Sequence, residues 1–153
     1  MPAVWKPMRG SPTLGARMAK SVGFQDVDSS GDASSFVVYL DAFGGVEAAQ
    51  AYKRRILGAL GLRPGMRALD VGCGTGDDAR AMAAIVGPGG GVAGLDVSEA
   101  LLAEARRRAE AEGLPVEFHA GDAHALPFGD ASFDAVRTER VRQRVADPAK
   151  VLA

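Results

Sequence analysis

The sequence Asp70-Val71-Gly72-Cys73-Gly74-Thr75-Gly76 is the most informative run of this 153-residue chain. The apolar run that ends at Val71 is typical of a buried strand, and residues 77–86 have the apolar spacing of a helix. The glycines let the chain turn sharply and leave bare backbone against which a ligand can lie. The N-terminus of the following helix offers free N–H groups to an anion such as a carboxylate. The sequence therefore predicts a ligand-binding turn between a strand and a helix.

Strands and helices alternate on both sides of this turn. A helix is predicted over 46–60, and Asp77 and Gly87 are expected to cap and to end the helix over 77–86. The elements predicted after it are a strand over 92–96, a helix over 99–112 capped by Ser98, and strands over 116–120 and 133–136. This order predicts an α/β fold, in which a parallel sheet has helices on both faces and right-handed crossovers.

Acidic residues stand at the ends of three successive predicted strands, where ligands bind in parallel sheets. Asp70 lies two residues before the first glycine, and a carboxylate there suits a ligand that carries ammonium or sulfonium charge. Asp96 can accept hydrogen bonds from ribose hydroxyls. Asp122 can accept one from an exocyclic adenine amine. Together the three acids outline one pocket for a ligand with amino, ribose and adenine parts.

A dinucleotide site is the first alternative, and it requires the spacing G-x-G-x-x-G. Counting from Gly72, the sixth position is Asp77, which is not a glycine. Counting from Gly74, the third position is Gly76 and the sixth is Ala79, which is tolerated, but the strand would then end too early. The spacing therefore disfavours an NAD(P)-dependent oxidoreductase.

Three stretches together resemble class I S-adenosylmethionine (SAM)-dependent methyltransferases. The run L-D-V-G-C-G-T-G at 69–76 looks like their first motif, and G-L-D-V-S at 94–98 is similar to the second. The run G-D-A-H-A-L-P-F-G-D-A-S-F-D-A-V at 121–136 is similar to the third and fourth motifs of the small-molecule branch, methyltransferase type 11, which includes quinone C-methyltransferases. The resemblance covers about residues 46–153. It implies a Rossmann-like sheet and methyl transfer from SAM to a small-molecule acceptor.

The resemblance also implies which residues bind SAM, although it identifies no catalytic residue. Gly72, Gly74 and Gly76 would cradle the methionine part. Asp70 would shape this turn and interact with the amino group, directly or through water. The remaining implied roles are ribose binding by Asp96, packing on the adenine face by Val97, contact with the adenine edge by Asp122 and the Ala123 backbone, and contact with the methionine end by backbone groups of Arg137 and Thr138.

The sequence departs from this family in two ways. The family's sheet has seven strands, and the sequence up to Ala153 supplies about four. We therefore expect the N-terminal portion of the domain, as a fragment, a truncated product or a chain completed by another copy. The fourth strand would then be an exposed edge, which predicts self-association. Arg142 and Arg144 stand where relatives commonly carry Leu and His. These departures leave a second interpretation open, in which the chain binds SAM without catalysis.

The first 35 residues differ from the rest. Residues 1–25 carry four cations, no acid and no apolar run long enough for a secretory signal. These features predict a flexible arm over 1–35 and a cytoplasmic location. The domain is then expected over 36–153.

The run D-x-D-x-S-G-D over 26–32 matches the start of an EF-hand calcium loop. Val37 replaces the Glu required at its twelfth position, so a polar turn is predicted.

Composition argues against several other classes of protein. The net charge of −1 disfavours a strongly basic nucleic-acid binder. The sequence contains no run of 18 apolar residues, so no membrane-spanning helix is predicted. A single cysteine, Cys73, excludes an intrachain disulfide and a cysteine-based zinc site. His119 and His124 have no carboxylate at metal-ligand spacing, so no metal site is predicted.

Overall fold

The computed structural model describes residues 23–139 and residues 141, 147 and 149. In chain order the elements are a 3-10 turn (Phe24–Asp26), α1 (Ala33–Gly44), α2 (Glu47–Ala59), β1 (Arg67–Val71), α3 (Asp77–Val86), β2 (Gly91–Asp96), α4 (Glu99–Ala111), β3 (Val116–Ala120) and β4 (Ala135–Thr138). The four strands form one parallel sheet in the order β3-β2-β1-β4. The predicted alternation and the parallel sheet are confirmed. None of the described helices has both the length and the apolar character needed to cross a membrane.

Both crossover helices, α3 and α4, lie on one face of the sheet, where Met82 and Leu102 are buried in the main hydrophobic core. The steps from β1 to β2 and from β2 to β3 run in one direction, and right-handed crossovers then place both helices on the same side. The step from β3 to β4 runs in the opposite direction. Phe128 and Phe133 of its connection pack on the other face. The described residues therefore show crossover helices on one face, whereas the sequence predicts helices on both.

The ends of α3 and α4 show how local chemistry sets the helix boundaries. Ser98 caps α4 as predicted, because its Oγ accepts a hydrogen bond from the N–H of Leu101 at 3.2 Å. Gly87 ends α3 as predicted, with a φ of +66°. The prediction that Asp77 caps α3 is wrong. Gly76 is the capping residue, with a φ of +76°, and Asp77 is the first helical residue, where its charge still favours the helix N-terminus.

Strand β4 begins two residues later than predicted. Asp134 precedes the strand and is held by Arg67, whose carbonyl accepts from the Asp134 N–H at 2.8 Å and whose N–H donates to the Asp134 carboxylate at 2.7 Å. Arg137, which the sequence places after the strand, lies within it and is 5% exposed. Because charged residues are rarely buried without a partner, the hydrophobic pattern ends the predicted strand too early.

Residues 24–44 pack against the body of the molecule. Val27 and Phe36 are fully buried and form a cluster with Leu101 of α4. Asp32 caps α1, accepting a hydrogen bond from the N–H of Ser35 at 3.2 Å. Val27 is thus buried within the segment 1–35 for which the sequence predicts a flexible arm, and as an isolated apolar residue it gives no periodic pattern in the sequence. Residues 1–22 of that arm lie outside the described part of the chain.

Candidate functional site

A cleft lies at the carboxyl edge of the sheet, beside the turn that follows β1. The strand order reverses at β1, since β2 lies on one side of it and β4 on the other, and ligands of open α/β sheets bind at such points. Of the predicted site residues, Asp70, Gly72, Gly74 and Arg137 line this cleft. The structure therefore brings residues from β1, its turn and β4 to one place.

Backbone hydrogen bonds hold the glycine turn in shape. The N–H groups of Gly72 and Cys73 both donate to the carbonyl of Leu95 in β2, at 2.7 Å and 3.0 Å. The φ angles of Gly72, Gly74 and Gly76 are +75°, +54° and +76°. Residues with a side chain rarely adopt these angles, so the backbone path itself requires glycine at all three positions.

The three glycines face different surroundings. A Cβ at Gly72 would collide with Val141, and one at Gly74 would lie 3.4 Å from Leu40 of α1, which lines the cleft. A Cβ at Gly76 would lie 2.9 Å from the ring of Phe118, in the hydrophobic core. The position of Gly76 is therefore required for packing, and a role in cradling a ligand rests on its backbone alone.

Asp70 is buried beneath the turn. Its Oδ1 accepts a hydrogen bond from Arg137 at 2.9 Å, and its Oδ2 has no hydrogen-bond partner among the described residues. Burial raises the pKa of Asp70 to about 7, although the adjacent guanidinium pulls the value down. A buried oxygen without a partner is costly, so this atom is a candidate acceptor for a ligand group.

The side chain of Arg137 gathers acidic residues at the same end of the cleft. Besides Asp70, its guanidinium pairs with Asp78 of α3 at 2.8 Å and with Glu139 after β4. Lys53 of α2 lies 3.4 Å from Asp78. The resemblance implies only backbone contacts for Arg137, whereas the structure shows its side chain at the centre of a buried ionic cluster.

Asp96 joins the glycine turn to the start of α4. Its Oδ2 accepts from the N–H of Gly74 at 2.8 Å, and its Oδ1 accepts from the N–H of Ser98 at 3.0 Å. Burial raises the pKa of Asp96, while these N–H groups lower it. A carboxylate has about four lone-pair sites, so the side chain can accept further hydrogen bonds from ligand hydroxyls.

The remaining predicted residues lie along the edge or within β4. Val97 follows β2 and is 51% exposed, and Ala123 is buried after β3. Oδ1 of Asp122 accepts from the backbone N–H of His124 at 2.9 Å and lies 2.6 Å from Nδ1 of its ring. Thr138 is the last residue of β4, and its hydroxyl has no hydrogen-bond partner among the described residues.

These residues fit the ligand that the resemblance implies. SAM carries a cationic methionine end, a ribose and an adenine. The unpartnered Oδ2 of Asp70 suits the cationic end, the carboxylate of Asp96 suits the ribose hydroxyls, and the exposed side chain of Val97 offers apolar contact to a ring. The acidic surroundings of Arg137 also favour a cationic group beside the turn.

Sequence reasoning missed several residues that line the cleft. Leu40 of α1 and Lys53 of α2 reach it from the N-terminal helices, and Asp78 and Glu139 complete the ionic cluster. Helix α1 had one detectable signal, since Asp32 before an apolar run is typical of a helix cap. No sequence signal places the other side chains at the cleft.

Other candidates take structural positions or lie outside the described residues. Cys73 is buried and burial raises the pKa of its thiol, so it is not an activated nucleophile. Within the described residues, no three side chains of His, Cys, Asp or Glu are grouped to hold a metal ion. Arg142 and Arg144 lie outside the part that the structure describes.

Comparison with known proteins gives consistent matches. A family model described as "Methyltransferase domain" matches residues 62–153. An uncharacterised 37.1 kDa protein in transposon TN4556 of Streptomyces fradiae is 50% identical over 118 residues, which are 76% of this chain and 34% of that protein. Demethylmenaquinone methyltransferase of Bacillus cytotoxicus is 44% identical over 88 residues, which are 57% of this chain and 37% of that enzyme.

A solved structure matches as well. The SAM-dependent methyltransferase from Aquifex aeolicus superposes with a TM-score of 0.59 and 28% sequence identity, over 65% of this chain and 54% of that one. The chain spans about one third of the length of the two curated relatives.

Proposed function

We propose that this chain, which belongs to the methyltransferase domain family, binds SAM at the carboxyl edge of β1, β2 and β3 for methyl transfer to a small-molecule acceptor. The observation that carries this proposal is the 2.8 Å hydrogen bond from the N–H of Gly74 to Oδ2 of Asp96. This hydrogen bond joins the glycine turn to Asp96, the acid proposed to bind ribose. The methionine part and the ribose of SAM would therefore contact one rigid surface. The likeness to a SAM-dependent methyltransferase supports the same ligand.

The proposed contacts follow from the surroundings of each residue. The turn over Gly72, Gly74 and Gly76 would lie against the methionine part, and Asp70 would attract its amino group. Asp96 would accept hydrogen bonds from the ribose. The outer contacts would come from Val97, Asp122 and Ala123 on the adenine, and from Arg137 and Thr138 beside the methionine end.

The chain's own contribution to the reaction is binding and alignment. When bound, SAM supplies a methyl group attached to a sulfonium sulfur. This sulfur is already a good leaving group, because it departs as a neutral thioether. The acceptor forms the new bond to carbon with its electron pair, and the sulfur keeps the pair of the bond that breaks. The residues of the cleft would hold the two partners in line and exclude water.

The acceptor belongs to the proposal as well. The matching enzyme of Bacillus cytotoxicus is named a demethylmenaquinone methyltransferase, which makes a quinone-type compound the first acceptor to test. Formation of S-adenosylhomocysteine with such an acceptor, and none without it, would support methyl transfer. A general base is needed only if the acceptor must lose a proton.

Calorimetric titration with SAM, S-adenosylhomocysteine and NADH tests the ligand. We expect micromolar binding of the first two and none of NADH. Binding of NADH alone would support the oxidoreductase alternative instead. A folded chain that binds none of the three would contradict the proposal.

A second candidate function is SAM binding without methyl transfer. It is favoured by Arg142 and Arg144, which stand where relatives commonly carry Leu and His near the acceptor pocket. Retained SAM binding with no turnover on any acceptor would support this function over the first.

Strand β4 lies at the edge of the described sheet, where another chain could pair with it. Within the described residues β4 pairs with β1 on one side, and Val136 is 54% exposed. Exposed strand edges template pairing with further strands. We therefore propose that isolated chains associate through β4.

A further inference from the structure

We propose that Asp28 is a positioning residue for the SAM site, because it fixes Ser98 and through it the carboxylate of Asp96. The inference rests on the proposed function, since it concerns the same site. Asp28 belongs to the D-x-D-x-S-G-D stretch at 26–32, which the proposed contacts with SAM do not involve.

The carboxylate of Asp28 covers the N-terminus of α4. Its Oδ1 accepts from Oγ of Ser98 at 2.5 Å and from the N–H of Ala100 at 3.3 Å, and its Oδ2 accepts from the N–H of Glu99 at 2.8 Å. A negative charge is favourable at this end of a helix. The hydroxyl of Ser98 lowers the pKa of Asp28, so the group is charged at neutral pH.

Ser98 transmits this contact to the site. It is almost completely buried, its Oγ also accepts from the N–H of Leu101, and its own N–H donates to Oδ1 of Asp96 at 3.0 Å. The other oxygen of Asp96 accepts from Gly74 in the glycine turn. An unbroken chain of hydrogen bonds thus runs from Asp28 to the turn, with the proposed ribose acid in its middle.

Packing fixes Asp28 from its own side. The preceding residue, Val27, is fully buried in the cluster with Phe36 and Leu101, so the carboxylate is held at a set distance from α4. Asp32, in the same stretch, caps α1 in a similar way, accepting from Oγ of Ser34 at 2.6 Å and from the N–H of Ser35 at 3.2 Å. It is therefore a matched control, because it caps α1 and not α4, the helix whose cap residue Ser98 donates to Asp96.

The test compares Asp28→Asn with Asp32→Asn in the full chain. Each variant is titrated with S-adenosylhomocysteine and with its 2′-deoxy counterpart, which lacks one ribose hydroxyl. The intact protein should prefer the complete ribose by about tenfold or more, as expected for a hydrogen bond to a charged group. Asp28→Asn should reduce the preference to about threefold or less, and Asp32→Asn should preserve it. Equal preference in all three proteins would overturn the proposal, because a merely structural loss weakens both ligands alike.

A measurement without ligand separates this inference from the proposed function. The amide hydrogen of Gly74 should exchange about tenfold faster in Asp28→Asn, since its acceptor Asp96 is less firmly held, and at the wild-type rate in Asp32→Asn. If wild-type protein binds neither nucleoside, the proposed function fails and this exchange rate alone decides the inference. If Asp28→Asn does not fold, Ser98→Ala breaks the same link and should show the same acceleration. Unchanged exchange in the folded variant would overturn the proposal.

Discussion

Replacing Arg137 by methionine should destabilise the protein strongly, and more at pH 8 than at pH 6. The substitution keeps a long apolar side chain within β4 but removes the guanidinium that pairs with Asp70 at 2.9 Å. Both side chains are almost fully buried. Asp78 and Glu139, the other partners of Arg137, retain more contact with solvent, so Asp70 bears most of the loss.

The magnitude follows from the burial of the pair. Removing one partner of a buried ion pair costs about 3–5 kcal/mol, whereas replacing both partners is often close to neutral. The pKa of Asp70 is raised from 3.8 to about 7. Between these values the folded state holds a proton that the unfolded state has released, so this group weakens stability as the pH rises through that range. Loss of Arg137 raises the pKa further, which extends the weakening above pH 7.

Chemical denaturation at pH 6 and pH 8 measures the free energy of unfolding. The proteins to compare are wild type, Arg137→Met, Asp70→Asn and the double variant. The double variant should lose less free energy of unfolding than the sum of the two single losses, by about 1 kcal/mol or more. Arg137→Lys serves as a control that keeps the charge but not the forked geometry. Additive losses, or a loss from Arg137→Met that is the same at pH 6 and pH 8, would show that Arg137 does not stabilise the charged form of Asp70.

Three further predictions concern the site, the turn and the sheet edge. Asp96→Ala should weaken SAM binding by about 1–3 kcal/mol, and unchanged affinity in a calorimetric titration would remove Asp96 from the site. Gly76→Ala should destabilise the fold by about 1–3 kcal/mol more than Gly61→Ala, because both have positive φ but only the first places a Cβ against Phe118; equal denaturation midpoints would contradict this. Val136→Lys should reduce the self-association of the chain measured by light scattering, because lysine at a strand edge disfavours pairing with further strands. A monomeric wild-type chain would contradict self-association through β4.

The central part of the fold was predictable from the sequence because its signals are local. The apolar spacing over 77–86 and 99–112 predicts α3 and α4, and the cap at Ser98 forms as expected. The glycine turn and Asp96 lie together because the ends of neighbouring parallel strands meet at one edge.

The features that sequence reasoning missed depend on distant partners. Arg137 is buried only because Asp70, 67 residues earlier, accepts its hydrogen bond. Asp28 caps a helix whose first contact, Ser98, is 70 residues further along the chain. Neither pairing leaves a periodic pattern. The face on which the crossover helices lie depends on strand order, and the sequence alone does not give that order.

Binding of SAM at the sheet edge can be tested by two-dimensional NMR of the labelled chain during titration with SAM. We expect the largest shifts on the amides of Gly72, Gly74 and Val97, at the carboxyl edge of β1 and β2, with small shifts on α2. A folded chain whose spectrum does not change with SAM, or whose shifts lie away from that edge, would contradict binding at this edge.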